Sequence, residues 1–149
     1  MIALIQRVSG ANVSVNGEGI AEIGVGLLVL AAVERGDGPE QVAKLAARLS
    51  AYRVFPDDAG KMNRSVLDTQ GSVLVVSQFT LSGDARHGRR PSFANAAPPE
   101  IARALYEDVV RELTAAGLVV ETGEFQAMMQ VALVNDGPVT ILLDSRKTF

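Results

Sequence analysis

The sequence predicts one mixed α/β domain spanning residues 1–149, with two helices and its elements in the order ββ-βα-βα-βββ. Three observations carry that reading. The N-terminal end of the chain alternates apolar and polar residues with the two-residue period of half-buried strands. Two interior stretches, Leu27–Val33 (LLVLAAV) and Ser72–Leu81 (SVLVVSQFTL), are near-continuous apolar runs of the kind a strand covered on both faces shows. Each is followed by a segment whose apolar residues recur at helical spacing.

Taken in order, Ile2–Val8 and Ala11–Val15 alternate as strands. Asn16-Gly17 is a two-residue hairpin signal leading to Ile20–Ile23. Gly24 and Gly26 mark a bend into the buried run from Leu27. Asp37 stands where a helix N-cap belongs, with Pro39 in the first turn and Val42, Leu45, Ala46 and Leu49 on one face. A polar loop precedes Ser72–Leu81. After a loop rich in Gly, Arg and Pro (82–98), Ile101, Leu105, Val109 and Leu113 mark the second helix, which Gly117 ends. Leu118–Glu121, Met128–Val134 and Val139–Leu143 read as three closing strands. The last two flank Asn135-Asp136-Gly137-Pro138, where proline, lacking an N–H, weakens pairing beside it. A plain turn needs only Asn-Gly or Asp-Gly, so the Gly-Pro pair calls for a purpose beyond chain reversal.

Composition narrows the function. The chain has 149 residues, 48% of them hydrophobic, enough for one substantial core. No apolar run approaches the roughly 20 residues of a membrane span. With no cysteine and one histidine, disulfides and thiolate chemistry are unavailable and no metal or cofactor site is expected. The N-terminal MIALIQRV lacks the pattern of a signal peptide, so a cytoplasmic location is expected. A net charge of −3 argues against wholesale electrostatic binding of nucleic acid, but it leaves room for a local basic patch.

One place combines polar groups with a strand end. Ser77, Gln78, Phe79 and Thr80 close an otherwise apolar strand and open into a glycine-containing loop, where ligands commonly bind in α/β proteins. The competing reading has Ser77 and Gln78 satisfying local backbone while Phe79 fills core. Arg86, Arg89 and Arg90 follow closely and add guanidiniums suited to phosphate. His87 reads as a solvated loop residue. Asp57-Asp58 and Glu107-Asp108 read as a turn and a solvated helix face.

SQFTL (77–81), RRPSF (89–93) and MQVALVNDGPVT (129–140), joined by MIALIQRV, EIGVGLLVL and GKMN, resemble the D-aminoacyl-tRNA deacylase family, first described as D-tyrosyl-tRNA deacylase. The resemblance extends over essentially the whole chain. It implies a layered β/β/α fold, and a homodimer with active sites at the subunit interface, no cofactor and no membrane. It also implies hydrolysis of the ester joining a D-amino acid to the terminal adenosine of tRNA, and acceptance of glycyl-tRNA, including glycine mischarged on tRNA-Ala. Ser77, Gln78, Phe79 and Thr80 would form the catalytic strand end, with Met129 lining the pocket. Arg86, Arg89 and Arg90 would contact tRNA. The Gly137–Pro138 bond would be cis, and the pair would enter the other subunit's site to wall out L-amino acids.

Two mechanisms follow from the resemblance. Thr80 attacks as a nucleophile, or the Phe79 and Thr80 amides hold the carbonyl oxygen while the substrate's 2′-hydroxyl assists water. The second is preferred, because no general base is evident. Two rival functions remain: a non-catalytic tRNA- or ribosome-binding module, and an esterase or peptidase pairing Ser77 or Ser92 with His87.

Overall fold

The computed structural model describes residues 1–149. Its strands are β1 (Ile2–Val15), β2 (Glu18–Ile23), β3 (Gly26–Ala32), β4 (Phe55–Pro56), β5 (Met62–Arg64), β6 (Ser72–Ser77), β7 (Val119–Thr122) and β8 (Gln130–Asp144). Two helices, α1 (Pro39–Ala51) and α2 (Pro99–Ala115), and a 3₁₀ turn (Phe79–Ser82) complete it. The principal sheet runs β2-β1-β3-β6-β7, and β8 pairs along β1 to curl it into a nearly closed barrel. β3, β6 and β7 are mutually parallel, whereas β1 is antiparallel to all three of its partners. This is the mixed α/β domain with two helices that the sequence predicts. No helix is long and apolar enough to cross a membrane.

The two apolar runs are covered on both faces. From one face Leu27, Val29, Val73 and Val75 pack against Leu45 and Leu49 of α1 and Val109 and Leu113 of α2. From the other, Leu28, Leu74 and Val76 meet Val8, Val13 and Ile23 inside the curled sheet. Alternate residues therefore enter two different cores, and no position on these strands is left for a polar side chain until they end. Asn16 and Gly17 both take positive φ, as a hairpin turn matching strand twist requires.

Several boundaries differ from the sequence reading. Ile2–Val8 and Ala11–Val15 are one continuous strand, irregular near Ser9, whose halves pair with β3 and β2 respectively. The short β4–β5 pairing lies within the expected polar loop. The run from Ser72 leaves strand geometry after Ser77, and Phe79 begins the 3₁₀ turn. Ile101 is 50% exposed, and Tyr106 takes a buried place on α2.

The chain does not reverse at Asn135–Pro138. β1 holds both flanking runs in one direction, pairing Ile2–Gln6 with residues 140–144 and Val8–Ser14 with residues 130–135. Asp136–Val139 bulge out opposite Arg7, so Met128–Val134 and Val139–Leu143 belong to one strand rather than two.

Asp37 is not the helix cap. Gly38 occupies that position, and its N–H donates to Gln41 Oε1 at 2.9 Å. The fully buried Asp37 carboxylate accepts from the Met1 ammonium at 2.9 Å, the Glu34 amide at 2.7 Å and the Arg146 guanidinium at 2.7 Å. The tail from Ser145 is drawn into the same cluster, because Ser145 Oγ also accepts from the Met1 ammonium. Asp37→Ala leaves a buried ammonium without its counter-charge and should cost about 3–5 kcal/mol, read as a lowered midpoint in urea unfolding.

Candidate active site

The ends of β3 and β6 open into a cavity of about 640 Å³. Ala31 and Ala32 of β3 and Val76 and Ser77 of β6 form its floor, and Tyr106, Ala102 and Pro99 of α2 stand along one side. Phe125, Met129 and Val131 line it from the segment entering β8, and Gln78, Phe79 and Thr80 also line it. A mostly apolar cleft with few polar groups, at the carboxyl ends of parallel strands, is the usual form of a small-molecule site in an α/β protein.

Local geometry makes the strand end polar. The Gln78 amide still bonds Ala31 O at 2.8 Å, the last rung shared with β3. Leu81 N then donates to Gln78 O at 3.2 Å, the first bond of the 3₁₀ turn. The Phe79 and Thr80 N–H groups precede that bond and have no carbonyl within the turn to use. Gln78 Nε2 donates to Thr80 Oγ1 in a short contact that fixes both side chains. Tyr106 Oη donates to Val75 O at 2.8 Å, and burial, with Glu107 adding, pushes its phenol well above the ordinary value, so it stays a neutral donor. Arg103 lies over the Phe125 ring at 4.6 Å, and Phe125 tilts against Tyr106, which steadies that wall.

Met129 lies just before β8, half-buried against the inner core, and Gly123 leaves room for its sulfur. Arg86, Arg89 and Arg90 are exposed on a loop closed by paired Asp84 and Ser92, outside the cavity lining. Arg86 is engaged within that loop: Asp84 accepts from it at 2.9 and 2.6 Å, and the guanidinium holds the Asp84 carboxyl down at about 2. His87 bonds neither Ser77 nor Ser92, and the Ser92 hydroxyl accepts from Ala94 N, so the serine–histidine arrangement is not assembled.

Gly137 and Pro138 lie elsewhere. Their peptide bond is cis, and the bulge faces Arg7, whose other strand neighbour is Leu27 at the start of β3. Ala31 lies four positions further along β3 from that rung, roughly 13 Å along the strand. Arg7 holds the bulge, donating to Asp136 O at 2.9 Å and Val54 O at 2.6 Å. Sequence reading did not single out Arg7, Tyr106, Phe125 or Phe93. Only the cross-strand register and the wall of the cleft reveal them, although Phe93 belongs to a motif already noted.

Fold and cleft define the class: a small mixed α/β domain with an apolar cleft at the carboxyl ends of two parallel strands. Residues 4–144 match the family model described as D-Tyr-tRNA(Tyr) deacylase. The chain is 58% identical to the D-aminoacyl-tRNA deacylase of Syntrophotalea carbinolica and 60% identical to that of Anaeromyxobacter dehalogenans, over the full length of each. A solved structure described as a c-Myc DNA Unwinding Element Binding Protein superposes with a TM-score of 0.92 at 39% identity, covering 97% of this chain and 98% of its own. Another, described as a probable eukaryotic D-amino acid tRNA deacylase, gives 0.81 at 17% identity, covering 96% and 98%, a likeness of fold. The chain belongs to the D-aminoacyl-tRNA deacylase family, and its activity is that family's hydrolysis.

Gly83 tests the turn. A Cβ there would lie 2.9 Å from Thr80 O and 3.0 Å from Phe93 Cε1, while Gly83 N donates to Thr80 O at 3.0 Å. Gly83→Ala must therefore displace the turn. It should lower kcat/KM by about 10- to 100-fold, the scale of a 1 Å misplacement. Thermal melting should move little in comparison.

Proposed function

We propose that the chain deacylates D-aminoacyl-tRNA and glycyl-tRNA, including glycine on tRNA-Ala, as a cytoplasmic homodimer in which each cleft is completed by Gly137 and Pro138 of the partner subunit. The terminal adenosine and its ester enter the cleft between Ser77–Thr80 and Met129. The Phe79 and Thr80 amides receive the carbonyl oxygen and stabilise the negative charge that develops as water attacks. The substrate's 2′-hydroxyl assists that water, and the ester oxygen leaves with tRNA. Thr80 and Gln78 orient the ester, and Ser77 borders the turn.

One observation carries this reading: the start of the 3₁₀ turn at the cleft, with Gln78 Nε2 bonded to Thr80 Oγ1. The hydroxyl already accepts from Gln78, and no carboxylate or imidazole bonds it to take its proton, which favours amides over a nucleophile–base pair. The placement of Gly137 supports the dimer. It stands at the far end of β3 from its own cleft, while Val134 and Leu142, 63% and 46% exposed, flank it along β8 as material for an apolar contact. A two-fold contact would bring each bulge to the opposite cleft. Carbonyls there exclude an L-side chain at Cα, admit a D-side chain pointing away, and have nothing to exclude in glycine.

The discriminating experiment incubates the protein with D-tyrosyl-tRNA and L-tyrosyl-tRNA; only the D-ester should be cleaved. A protein that binds both and cleaves neither would instead be a binding module. Thr80→Val should keep measurable turnover, whereas D-tyrosyl-tRNA ending in 2′-deoxyadenosine should not be hydrolysed. An acyl-Thr80 ester trapped in a mass spectrum would refute the assisted-water route.

Gly137 has φ +134°, and a Cβ would sit 2.9 Å from both Arg7 Nη2 and Val139 Cγ2. Gly137→Ala is thus strained as well as crowded. It should lower D-substrate turnover by at least tenfold, on the scale of a small displacement at a reacting centre, without creating L-ester cleavage. Unchanged kcat/KM and selectivity in that variant would remove Gly137 from the site.

In the basic loop, Arg89 and Arg90 have no protein partner among the hydrogen bonds and ion pairs, which favours them as the phosphate ligands, with Arg86 ordering the loop through Asp84. Arg89→Ala with Arg90→Ala should flatten the salt dependence of tRNA binding by about 0.7–0.9 in log–log slope per lost phosphate contact. Filter binding across a salt series measures it.

A further inference from the structure

Phe79 and Phe93 form an aromatic pair at the cleft mouth that the deacylation reaction itself does not use. Their ring centroids are 5.1 Å apart with planes at 69°, an edge-to-face contact. They are 57% and 37% exposed, whereas Phe55 is 3% exposed in the core. Isolated apolar residues at a surface need no explanation, but two adjoining phenyl rings continuous with an apolar cleft do. The pair is built rather than left over. Gly83 makes room for the Phe93 ring, and the Asp84–Ser92 pairing ties the segment carrying Phe93 to the turn carrying Phe79. The loop bearing Arg89 and Arg90 rises between those two stems. A flat apolar surface beside free guanidiniums complements a nucleotide, whose base stacks and whose phosphate is anionic.

We infer that Phe79 and Phe93 form a stacking shelf for one unpaired base, that of the cytidine preceding the terminal adenosine of the tRNA. The inference rests on the reading that the cleft takes the terminal adenosine. Phe79 borders both cleft and shelf, so the base next along the strand meets the rings as the chain leaves the cleft toward the arginines. The shelf tolerates any base, because stacking reads a π-face rather than a hydrogen-bonding edge. It anchors the acceptor end without specifying the amino acid.

The test compares D-tyrosyl-adenosine, D-tyrosyl-CpA, and D-tyrosyl-pA carrying an abasic ribose in place of cytidine, on the unaltered enzyme. Cytidine should raise kcat/KM by roughly 5- to 150-fold, the range of a base–aromatic stack, and the abasic substrate should lose that gain although its phosphate remains. The gain should vanish in Phe93→Ala, persist in Phe93→Tyr, and change little with salt. An abasic substrate as good as CpA, or a full cytidine gain in Phe93→Ala, overturns the shelf. Should Phe93→Ala fail to fold, the abasic comparison decides alone. Failure of all three esters to be cleaved would tell against the deacylation reading instead. In that event, binding of uncharged CpA against its abasic counterpart, by fluorescence titration, still decides the shelf: tighter CpA supports it and equal binding overturns it.

Discussion

The parallel pairing of β3 with β6 is the interaction on which the rest of the molecule depends. Gly26 to Ala31 run beside Ser72 to Ser77 in unbroken register, buried on both faces by two separate cores. Double coverage excludes polar side chains along the pair and concentrates them where it ends. The cleft is the consequence: the helices and the curled sheet diverge beyond Ala32 and Ser77, and the backbone turns with donors to spare. Under the proposed mechanism, those amides are already held in place, with no reorganisation at the moment of attack.

β1 and β8 impose the second constraint. Their pairing runs the length of both strands, yet β8 carries residues that β1 cannot match, and these are expelled opposite Arg7. The register is restored on either side, so the surplus cannot slip along the strand, since a shift of one residue would turn every side chain to the other face. Asn135 steadies the bulge from within, its Oδ1 accepting from Val139 N at 3.0 Å and its Nδ2 donating to Thr140 Oγ1 at 2.8 Å. Arg7 holds it from across the strand. A segment gripped on both sides can present backbone carbonyls rigidly, which a mobile hairpin tip could not do.

The arginine loop follows a different logic. Its base is tied by Asp84 and Ser92, and Arg35 donates to Ala94 O at 2.8 Å to secure the chain beyond it. Only the cations at its tip are left to solvent. An acidic protein can thus offer a small positive surface beside its cleft while the remainder of its charge discourages nonspecific association with nucleic acid.

By itself the sequence determined the class of fold, because double burial writes itself as unbroken apolar runs and amphipathic helices as a four-residue rhythm; both are local patterns. It also showed where polarity resumes, at Ser77–Thr80, and its motifs marked the family. It could not show that Asn135–Pro138 is a bulge, since strand, bulge, strand and strand, turn, strand share one local pattern, and only pairing with β1 distinguishes them. Nor could it show that Asp37 leaves the helix cap to Gly38, because the competing Met1 ammonium and Arg146 guanidinium lie 36 and 109 residues away along the chain. Arg7 and Phe93 were equally hidden: their contacts are with residues distant in sequence, and such neighbours exist only once the chain has folded.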